Sequence, residues 1–200
     1  MQNELQTTKD FFNSVVDKWD NICFHDTKKL DLIFSEIALF KGARVMDVGC
    51  GTGILIPRIF DEIGDDGSLV AVDCSERMLK IAKSRYQFSS LKFMCDDISC
   101  VKFKENYFDF IICYSVFPHF KDKTAVLAHL TKALVPGGKL CICHSESREA
   151  INNQHAKIDE RVANDMLIGA DAVKVILDDI GLTPVTSIDN ECMYVIIATK

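Results

Sequence analysis

The amino-acid sequence predicts an α/β fold with a doubly wound, mostly parallel seven-stranded sheet and one antiparallel strand at or near its C-terminal edge. Short apolar runs alternate with amphipathic stretches along the 200 residues. This alternation is typical of parallel strands joined by crossover helices. Near the end of the chain, only Asn190 and Glu191 separate two strand-like runs. Two residues close an antiparallel hairpin but cannot form a parallel crossover, so one strand should run antiparallel to the rest.

The individual elements follow from the spacing of apolar residues. We expect strands over 43–48, 68–73, 91–95, 108–114, 138–144, 183–189 and 192–199. Helices are expected over 4–19, 27–39, 53–63, 76–87, 122–134, 148–160 and 171–180. Ser75 fits the N-cap of the helix that begins at residue 76, and Gly181 ends the helix over 171–180.

Length and composition indicate one domain over 1–200, in a reduced, cytoplasmic protein. Hydrophobic residues make up 48% and charged residues 26% of the chain, which excludes a disordered or collagen-like protein. No apolar run approaches the ~18 residues of a membrane helix, and the first residues lack the pattern of a secretory signal. The nine cysteines contain no Cys-x-x-Cys motif, so neither a zinc ribbon nor a thioredoxin motif is indicated.

Glycines and carboxylates occur where a parallel sheet binds its ligands. The run Asp47-Val48-Gly49-Cys50-Gly51-Thr52-Gly53 ends the first strand, Asp73 ends the second, and Asp97 follows the third. Ligands of doubly wound sheets bind beyond the carboxyl ends of the strands, and glycines let them approach the backbone without meeting a Cβ. Asp73 is placed either to accept hydrogen bonds from both hydroxyls of a ribose or to cap the next helix. The alternative for the glycines alone is a tight turn without a ligand.

These runs resemble class I S-adenosylmethionine-dependent methyltransferases. The run from Val45 through the glycine turn is similar to the first motif of that family, and 72–79 is similar to the second. The run 108–113 resembles the fourth strand, and 134–138 the turn before the fifth. The resemblance spans about residues 10–145 and is nearest to the small-molecule branch that includes ubiquinone and menaquinone methyltransferases. It implies a Rossmann-like methyltransferase fold, S-adenosyl-L-methionine as the cofactor, and in-line transfer of its methyl group to a small-molecule acceptor.

The resemblance also implies a role for each motif residue. The methionine end of the cofactor would lie against the backbone of Asp47, Gly49, Cys50, Gly51 and Gly53, and near the carbonyl of Cys113. The ribose would bind Asp73, and the adenine would contact Cys74, Met78, Asp97 and Ile98. The sequence departs from the family at Asp96, where a glycine is usual, so either acid could bind the adenine. It also departs at Cys74, where a larger apolar residue is common.

The implied organisation divides the domain into three parts: a helical cap over 1–40, a cofactor-binding core over 41–145, and acceptor-side helices with the terminal hairpin over 146–200. In the cap, Phe11, Phe12 and Trp19 form either a lid over the cofactor or plain core packing.

Two other functions are alternatives to methyl transfer. A nicotinamide dinucleotide site expects Gly-x-Gly-x-x-Gly, whereas the glycines here are spaced Gly-x-Gly-x-Gly. Asp47 would also repel a pyrophosphate, and a Tyr-x-x-x-Lys pair is lacking. The second alternative is a non-catalytic S-adenosylmethionine-binding sensor or scaffold module.

The acceptor is expected to be a small molecule rather than a nucleic acid. The formal net charge of -6 opposes binding to phosphate backbones. The run 113–120 after the fourth strand lacks the Asn-Pro-Pro-aromatic motif of nucleic-acid amino methyltransferases, and the chain has no Pro-Cys nucleophile.

Candidate catalytic residues follow the fourth and fifth strands. His119 acts as a general base or only positions the acceptor, and Tyr114 forms a wall or donates a hydroxyl. His144 is expected to face the acceptor. Arg148, Asn152 and His155 share one helix face, which either reads an anionic or carbonyl acceptor or is simply solvated. The spacing of the histidines gives no support for a metal site, and no metal is expected.

Overall fold

The computed structural model of the chain describes residues 2–23 and 25–200. Its strands are β1 (Arg44–Val48), β2 (Ser68–Asp73), β3 (Leu91–Cys95), β4 (Phe108–Tyr114), β5 (Leu134–His144), β6 (Thr183–Asp189) and β7 (Tyr194–Thr199). They form one sheet in the order β3-β2-β1-β4-β5-β7-β6. Neighbours from β3 to β5 pair in parallel, and β7 pairs antiparallel with both β5 and β6. The predicted fold class is therefore confirmed, with the antiparallel strand second from the edge.

The helices are α1 (Gln2–Val15), α2 (Trp19–Ile22), α3 (Thr27–Ile37), α4 (Ile56–Ile63), α5 (Glu76–Arg85), α6 (Lys123–Ala133), α7 (Arg148–Ile158) and α8 (Ala170–Asp179). Single 3-10 turns cover Val16–Lys18 and Phe117–His119. Ser75 caps α5 as predicted, because its side chain accepts a hydrogen bond from the N–H of Met78 at 3.1 Å.

The core lies on both faces of the sheet. In β1, Met46 and Val48 pack into one apolar cluster, whereas Val45 packs into the other. Successive side chains of a strand point to opposite faces, so β1 is buried on both sides and its apolar residues do not alternate strictly with polar ones. Because β1 is packed on both sides, its end is held in place, and so is the loop that follows it at the carboxyl edge of the sheet.

The structure corrects several predicted boundaries. Strand β5 begins at Leu134 rather than at residue 138, so the run 134–138 opens the strand instead of forming a turn before it. The N-terminal helix is interrupted by the 3-10 turn at Val16–Lys18. Helix α4 begins at Ile56 rather than at residue 53, because turns occupy residues 51–55. The link between β6 and β7 has four residues instead of two, since β7 begins at Tyr194. None of the helices within residues 2–23 and 25–200 has the length and apolarity needed to cross a membrane.

Candidate active site

A cavity of about 410 Å³ lies at the carboxyl edge of β1, β2 and β4. This is the edge at which sheets of this type bind their ligands. Predicted site residues that line the cavity are Gly49, Cys50, Gly51, Asp73, Cys74, Met78, Asp97, Ile98, Tyr114 and His119. Four predicted residues are not in its lining: Asp47, Gly53, Cys113 and His144.

The glycine turn borders the cavity at Gly51. Its φ of +54° lies in the left-handed region, and an added Cβ would meet only Nε1 of Trp19, at 3.7 Å. At Gly49 and Gly53, by contrast, the absence of a side chain makes room for a neighbouring side chain. A Cβ at Gly49 would lie 2.4 Å from Val116, and one at Gly53 would lie 2.9 Å from the ring of Tyr86. Gly49 also lines the cavity, but of the three glycines only Gly51 has open space where a Cβ would lie.

The carboxylate of Asp73 is fixed by two backbone donors. It accepts hydrogen bonds from the N–H groups of Gly51 and Ser75, both at 2.8 Å. Burial raises the pKa of Asp73, and these two bonds oppose the shift. Each carboxylate oxygen keeps a further lone pair, so the group can still accept hydrogen bonds from a ligand in the cavity.

Asp47 lies at the end of β1, directly before the glycine turn. Its side chain is buried, and its Oδ2 atom has no hydrogen-bond partner among the described residues. Burial, and then the charge of Asp73, raise the pKa of Asp47 to about 7. A buried carboxylate with an unpartnered oxygen is costly, and a cationic ligand group nearby would offset that cost. The negative charge of the Asp47 carboxylate therefore suits the positively charged ammonium and sulfonium groups of S-adenosylmethionine.

The predicted adenine end of the cavity contains both acids that follow β3. Asp96 accepts a hydrogen bond from the N–H of Asp97 at 2.8 Å, and Asp97 accepts one from the N–H of Ser99 at 2.9 Å. Asp96 is exposed and Asp97 is half-buried, and both line the cavity. The structure thus keeps both as candidates. Met78 is buried and forms part of the lining, as predicted.

Tyr114 lies in a polar chain at the other end of the cavity. Its hydroxyl is hydrogen-bonded to Nδ1 of His25 and to Oγ of Ser145, each at 2.8 Å. Burial raises the pKa of Tyr114 above its ordinary range. The hydroxyl is therefore neutral near neutral pH and serves as a fixed hydrogen-bonding wall.

His119 is held on several sides. Its Nδ1 donates a hydrogen bond to Oδ2 of Asp165 at 2.8 Å, and the edge of Phe12 meets its ring at 5.1 Å between centroids. Lys121 donates to the other oxygen of Asp165 at 2.6 Å. Because Nδ1 is engaged, Nε2 is the ring nitrogen of His119 that is left for a ligand in the cavity.

His144 is buried and has no hydrogen-bond partner for either ring nitrogen among the described residues. Burial, followed by the neighbouring charges of His119 and His155, lowers the pKa of His144 to about 3. The ring is thus neutral near neutral pH. Its place outside the cavity lining gives it no direct path to an acceptor bound there.

The polar face of α7 contacts the protein itself rather than the cavity. Arg148 pairs with Asp189 at 2.9 Å, Asn152 bonds both backbone groups of Leu167, and His155 donates to the carbonyl of Asp165 at 2.6 Å. This face therefore braces the chain after α7. Within the described part of the chain, no set of three His, Cys, Asp or Glu side chains is arranged to hold a metal ion.

The N-terminal segment covers the cavity. Phe12 and Trp19 line it, while Phe11 is buried beneath the guanidinium of Arg161. Asp20 accepts a hydrogen bond from the hydroxyl of Thr52 at 2.8 Å and pairs with Arg85 on α5. The segment is thus tied to the glycine turn and to the helix after β2.

A family profile described as a methyltransferase domain matches residues 39–191. The match covers β1 through β6 and includes the sheet-edge loops around the cavity. The chain belongs to the methyltransferase domain family. The resemblance seen in the sequence motifs is therefore confirmed.

Relatives of this methyltransferase domain include two enzymes named for quinone biosynthesis. The chain is 25% identical over 153 residues to the ubiquinone/menaquinone biosynthesis C-methyltransferase UbiE of Shewanella oneidensis, covering 72% of this chain and 61% of that protein. It is 32% identical over 115 residues to the ubiquinone biosynthesis O-methyltransferase of Coxiella burnetii, covering 56% of this chain and 47% of that protein. The chain thus spans about half the length of the curated relatives it matches.

A solved structure shows the same fold. The SAM dependent methyltransferase from Aquifex aeolicus aligns with a TM-score of 0.73 at 19% identity, over 93% of this chain and 97% of that one. The predicted Rossmann-like methyltransferase fold is confirmed by this likeness.

Two polar residues of the methyltransferase domain's cavity region are not predicted from the sequence. His25 lies between α2 and α3, and Asp165 lies between α7 and α8. Both stand in segments without a periodic apolar pattern, and each contacts a site residue that is distant in the chain. The sequence carries no signal that would single them out.

Proposed function

We propose that this chain is an S-adenosylmethionine-dependent methyltransferase that acts on a small-molecule acceptor. The observation that carries the proposal is one cavity that is lined by Gly51, Asp73 and His119 together. A cofactor site and a proton acceptor therefore share one space. Family membership supports the same reading.

The residues that would hold the cofactor are those of the sheet edge. Asp73 would bind the ribose hydroxyls, Gly51 would give the methionine end close access to the backbone, and Asp47 would balance its positive charge. Met78 and either Asp96 or Asp97 would contact the adenine. When bound, S-adenosylmethionine supplies an electrophilic methyl group on its sulfonium.

The other cavity residues would bind and orient the acceptor. Phe12, Trp19 and Phe120 form apolar walls that exclude water. His119 would accept the proton of the acceptor at Nε2, and the Tyr114 hydroxyl would fix its orientation. Holding acceptor and methyl group in line in a dry cavity supplies most of the rate enhancement in such a mechanism.

The net charge of the chain and the names of its relatives both favour a small-molecule acceptor. The net charge of -6 disfavours a nucleic-acid partner. The relatives named above act in quinone biosynthesis, one as a C- and one as an O-methyltransferase. We extend to this chain only the class, a small organic acceptor. All nine cysteines are free thiols, which supports a reducing compartment such as the cytoplasm.

Calorimetry followed by an acceptor screen tests the proposal. S-adenosylmethionine and S-adenosylhomocysteine should both bind. S-adenosylhomocysteine should then form with at least one acceptor among phenols, thiols, amines and activated carbon acids. Replacing His119 by Gln should slow turnover about 10²–10⁴-fold, the usual contribution of a general base. Tight cofactor binding with no turnover for any class would instead favour the non-catalytic binding module.

A further inference from the structure

We infer that Asp165 is a positioning residue that holds His119 in the tautomer whose Nε2 accepts the proton of the methyl acceptor. This inference rests on the proposed function. It adds a residue from outside the methyltransferase motifs, contributed by the segment between α7 and α8. That segment lies beyond residues 10–145, which carry the resemblance of the sequence motifs.

The chemistry of the pair fixes the direction of the hydrogen bond. An ionised carboxylate only accepts hydrogen bonds, so Nδ1 of His119, 2.8 Å from Oδ2 of Asp165, must carry the proton. In a neutral imidazole the second nitrogen then has the lone pair. Nε2 of His119 is therefore the proton acceptor, and His119 is one of the residues that line the cavity.

The carboxylate of Asp165 is kept ionised by its neighbours. Burial alone would favour its neutral form, but the hydrogen bonds from His119 and Lys121 outweigh burial and lower the pKa of Asp165. The side chains of Asp165 and His119 are 5% and 9% exposed. Water thus screens the pair little, and a charge-assisted hydrogen bond in such surroundings is strong.

The backbone of Asp165 is anchored as well. Its N–H donates to the carbonyl of Val162 at 2.9 Å, and its carbonyl accepts from Nδ1 of His155 at 2.6 Å. Two residues further on, Asn152 holds both backbone groups of Leu167. The polar face of α7 therefore has a use that does not involve the acceptor directly: it fixes the segment that presents Asp165.

The ring of His119 is also confined by two neighbouring rings. The ring of His155 lies 4.9 Å away at an angle of 34°, and Phe12 meets it edge-on. With its plane and its Nδ1 both fixed, the imidazole has one orientation to offer the cavity. Such preorganisation is what a base in methyl transfer requires.

The proton balance of the step is complete within the site. As the electron pair of the acceptor atom forms its bond to the methyl carbon, the pair of the breaking sulfur–methyl bond stays on sulfur. The acceptor's proton passes to Nε2 of His119, and the resulting imidazolium is stabilised by Asp165. The products are methylated acceptor, S-adenosylhomocysteine and a protonated His119, which returns its proton to solvent.

Nitrogen-15 NMR of the intact chain tests the tautomer without any acceptor. The signals of His119 are assigned with a His119→Gln variant. At a pH where the ring is neutral, the wild-type chain should show a protonated Nδ1 and an unprotonated Nε2. Asp165→Asn should lose this pattern, because an amide can donate to Nδ1. An Nε2-protonated wild-type ring, or an unchanged pattern in Asp165→Asn, overturns the inference.

A matched control is available in the same segment. Asp159→Asn makes the same chemical change six residues earlier, where the carboxylate pairs only with Arg161 among the described residues. It should leave the tautomer and the rate unchanged. With the acceptor found by the screen, Asp165→Asn should lower kcat about 10²–10⁴-fold while cofactor affinity stays within about twofold. A full rate in Asp165→Asn contradicts the inference.

The NMR measurement of the tautomer and the acceptor screen together separate this inference from the proposed function. If none of the acceptors is methylated but the wild-type ring shows the expected tautomer, methyl transfer is contradicted while Asp165 remains the residue that orients His119. Turnover with the opposite tautomer would uphold methyl transfer and defeat the role of Asp165. Because an Nε2-protonated wild-type ring overturns the inference by itself, the test remains decisive against it even where Asp165→Asn does not fold.

Discussion

The Oδ2 atom of Asp73 accepts a hydrogen bond from the backbone N–H of Gly51 at 2.8 Å. This bond joins the end of β2 to the glycine turn after β1, so the two motifs form one unit. Asp73 therefore has two tasks: it shapes the turn and it faces the cavity. Variants of Asp73 have to separate these tasks.

Replacing Asp73 by Asn should weaken S-adenosylmethionine binding by about 1.5–3 kcal/mol, the usual contribution of a hydrogen bond to a charged group. Asn keeps an oxygen for one of the two backbone N–H groups, whereas its NH2 group replaces the other oxygen and cannot accept a hydrogen bond from the ribose. Titration calorimetry measures the change. Asp66→Asn, at an exposed position, makes the same charge change and should leave the affinity intact. Equal affinities in both variants would remove Asp73 from the cofactor site.

Replacing Gly51 by Ala should abolish most cofactor binding, because the added methyl group would occupy space at the cavity wall. The control is Gly181→Ala. Gly181 also has a positive φ, +82°, and no atom lies within 4 Å of its added Cβ. Both variants carry the left-handed backbone cost of roughly 1–2 kcal/mol. Denaturation should show similar losses of stability, and only Gly51→Ala should lose binding. Retained binding would place the cofactor elsewhere.

The buried Asp47 predicts a pH dependence of stability. Burial and the charge of Asp73 raise its pKa from 3.8 to about 7 in the folded chain. Between these values the folded state binds more protons than the unfolded state, so the free energy of unfolding falls as pH rises. The contribution lost across that window is up to roughly 4 kcal/mol.

Comparison with Asp47→Asn isolates this effect. The amide stays neutral, so the stability of the variant relative to the wild-type cofactor-free chain should increase from about pH 4 to about pH 7 and then level off. Urea denaturation across this range gives the difference. A difference that does not vary with pH would mean that Asp47 is ionised and paired throughout.

The strands and the ligand edge of the sheet are predictable because their signals are local. Apolar runs mark β1 and β4, and the glycines mark the turn beside them. The β6–β7 link is predicted too short because the local apolar pattern extends past the true start of β7. Met193 is buried, so the apolar pattern continues, but the side chain of Asn190 accepts hydrogen bonds from the N–H groups of Cys192 and Met193 and turns the backbone away from the ladder.

The polar partners of the site are less predictable. Tyr114 and His119 are found from their place at the end of β4 and in the loop after it, but His25 and Asp165 contact them from 89 and 46 residues away in the chain. The face of α7 illustrates the same limit. Helical spacing correctly places Asn152 and His155 together, yet spacing cannot distinguish an external ligand from the chain's own backbone at 165 and 167.

Asp20 provides the last prediction, which concerns the N-terminal cover. One of its oxygens accepts from the buried hydroxyl of Thr52 and the other pairs with Arg85. Asp20→Ala removes both links and should speed cofactor dissociation about 3- to 10-fold, as expected from losing one hydrogen bond and one exposed ion pair. Stopped-flow fluorescence can follow this, because the single tryptophan, Trp19, lines the cavity. Asp31→Ala breaks an exposed pair with Arg58 outside the cavity lining and should leave the rate unchanged. Equal dissociation rates in both variants would mean that the segment does not retain the cofactor.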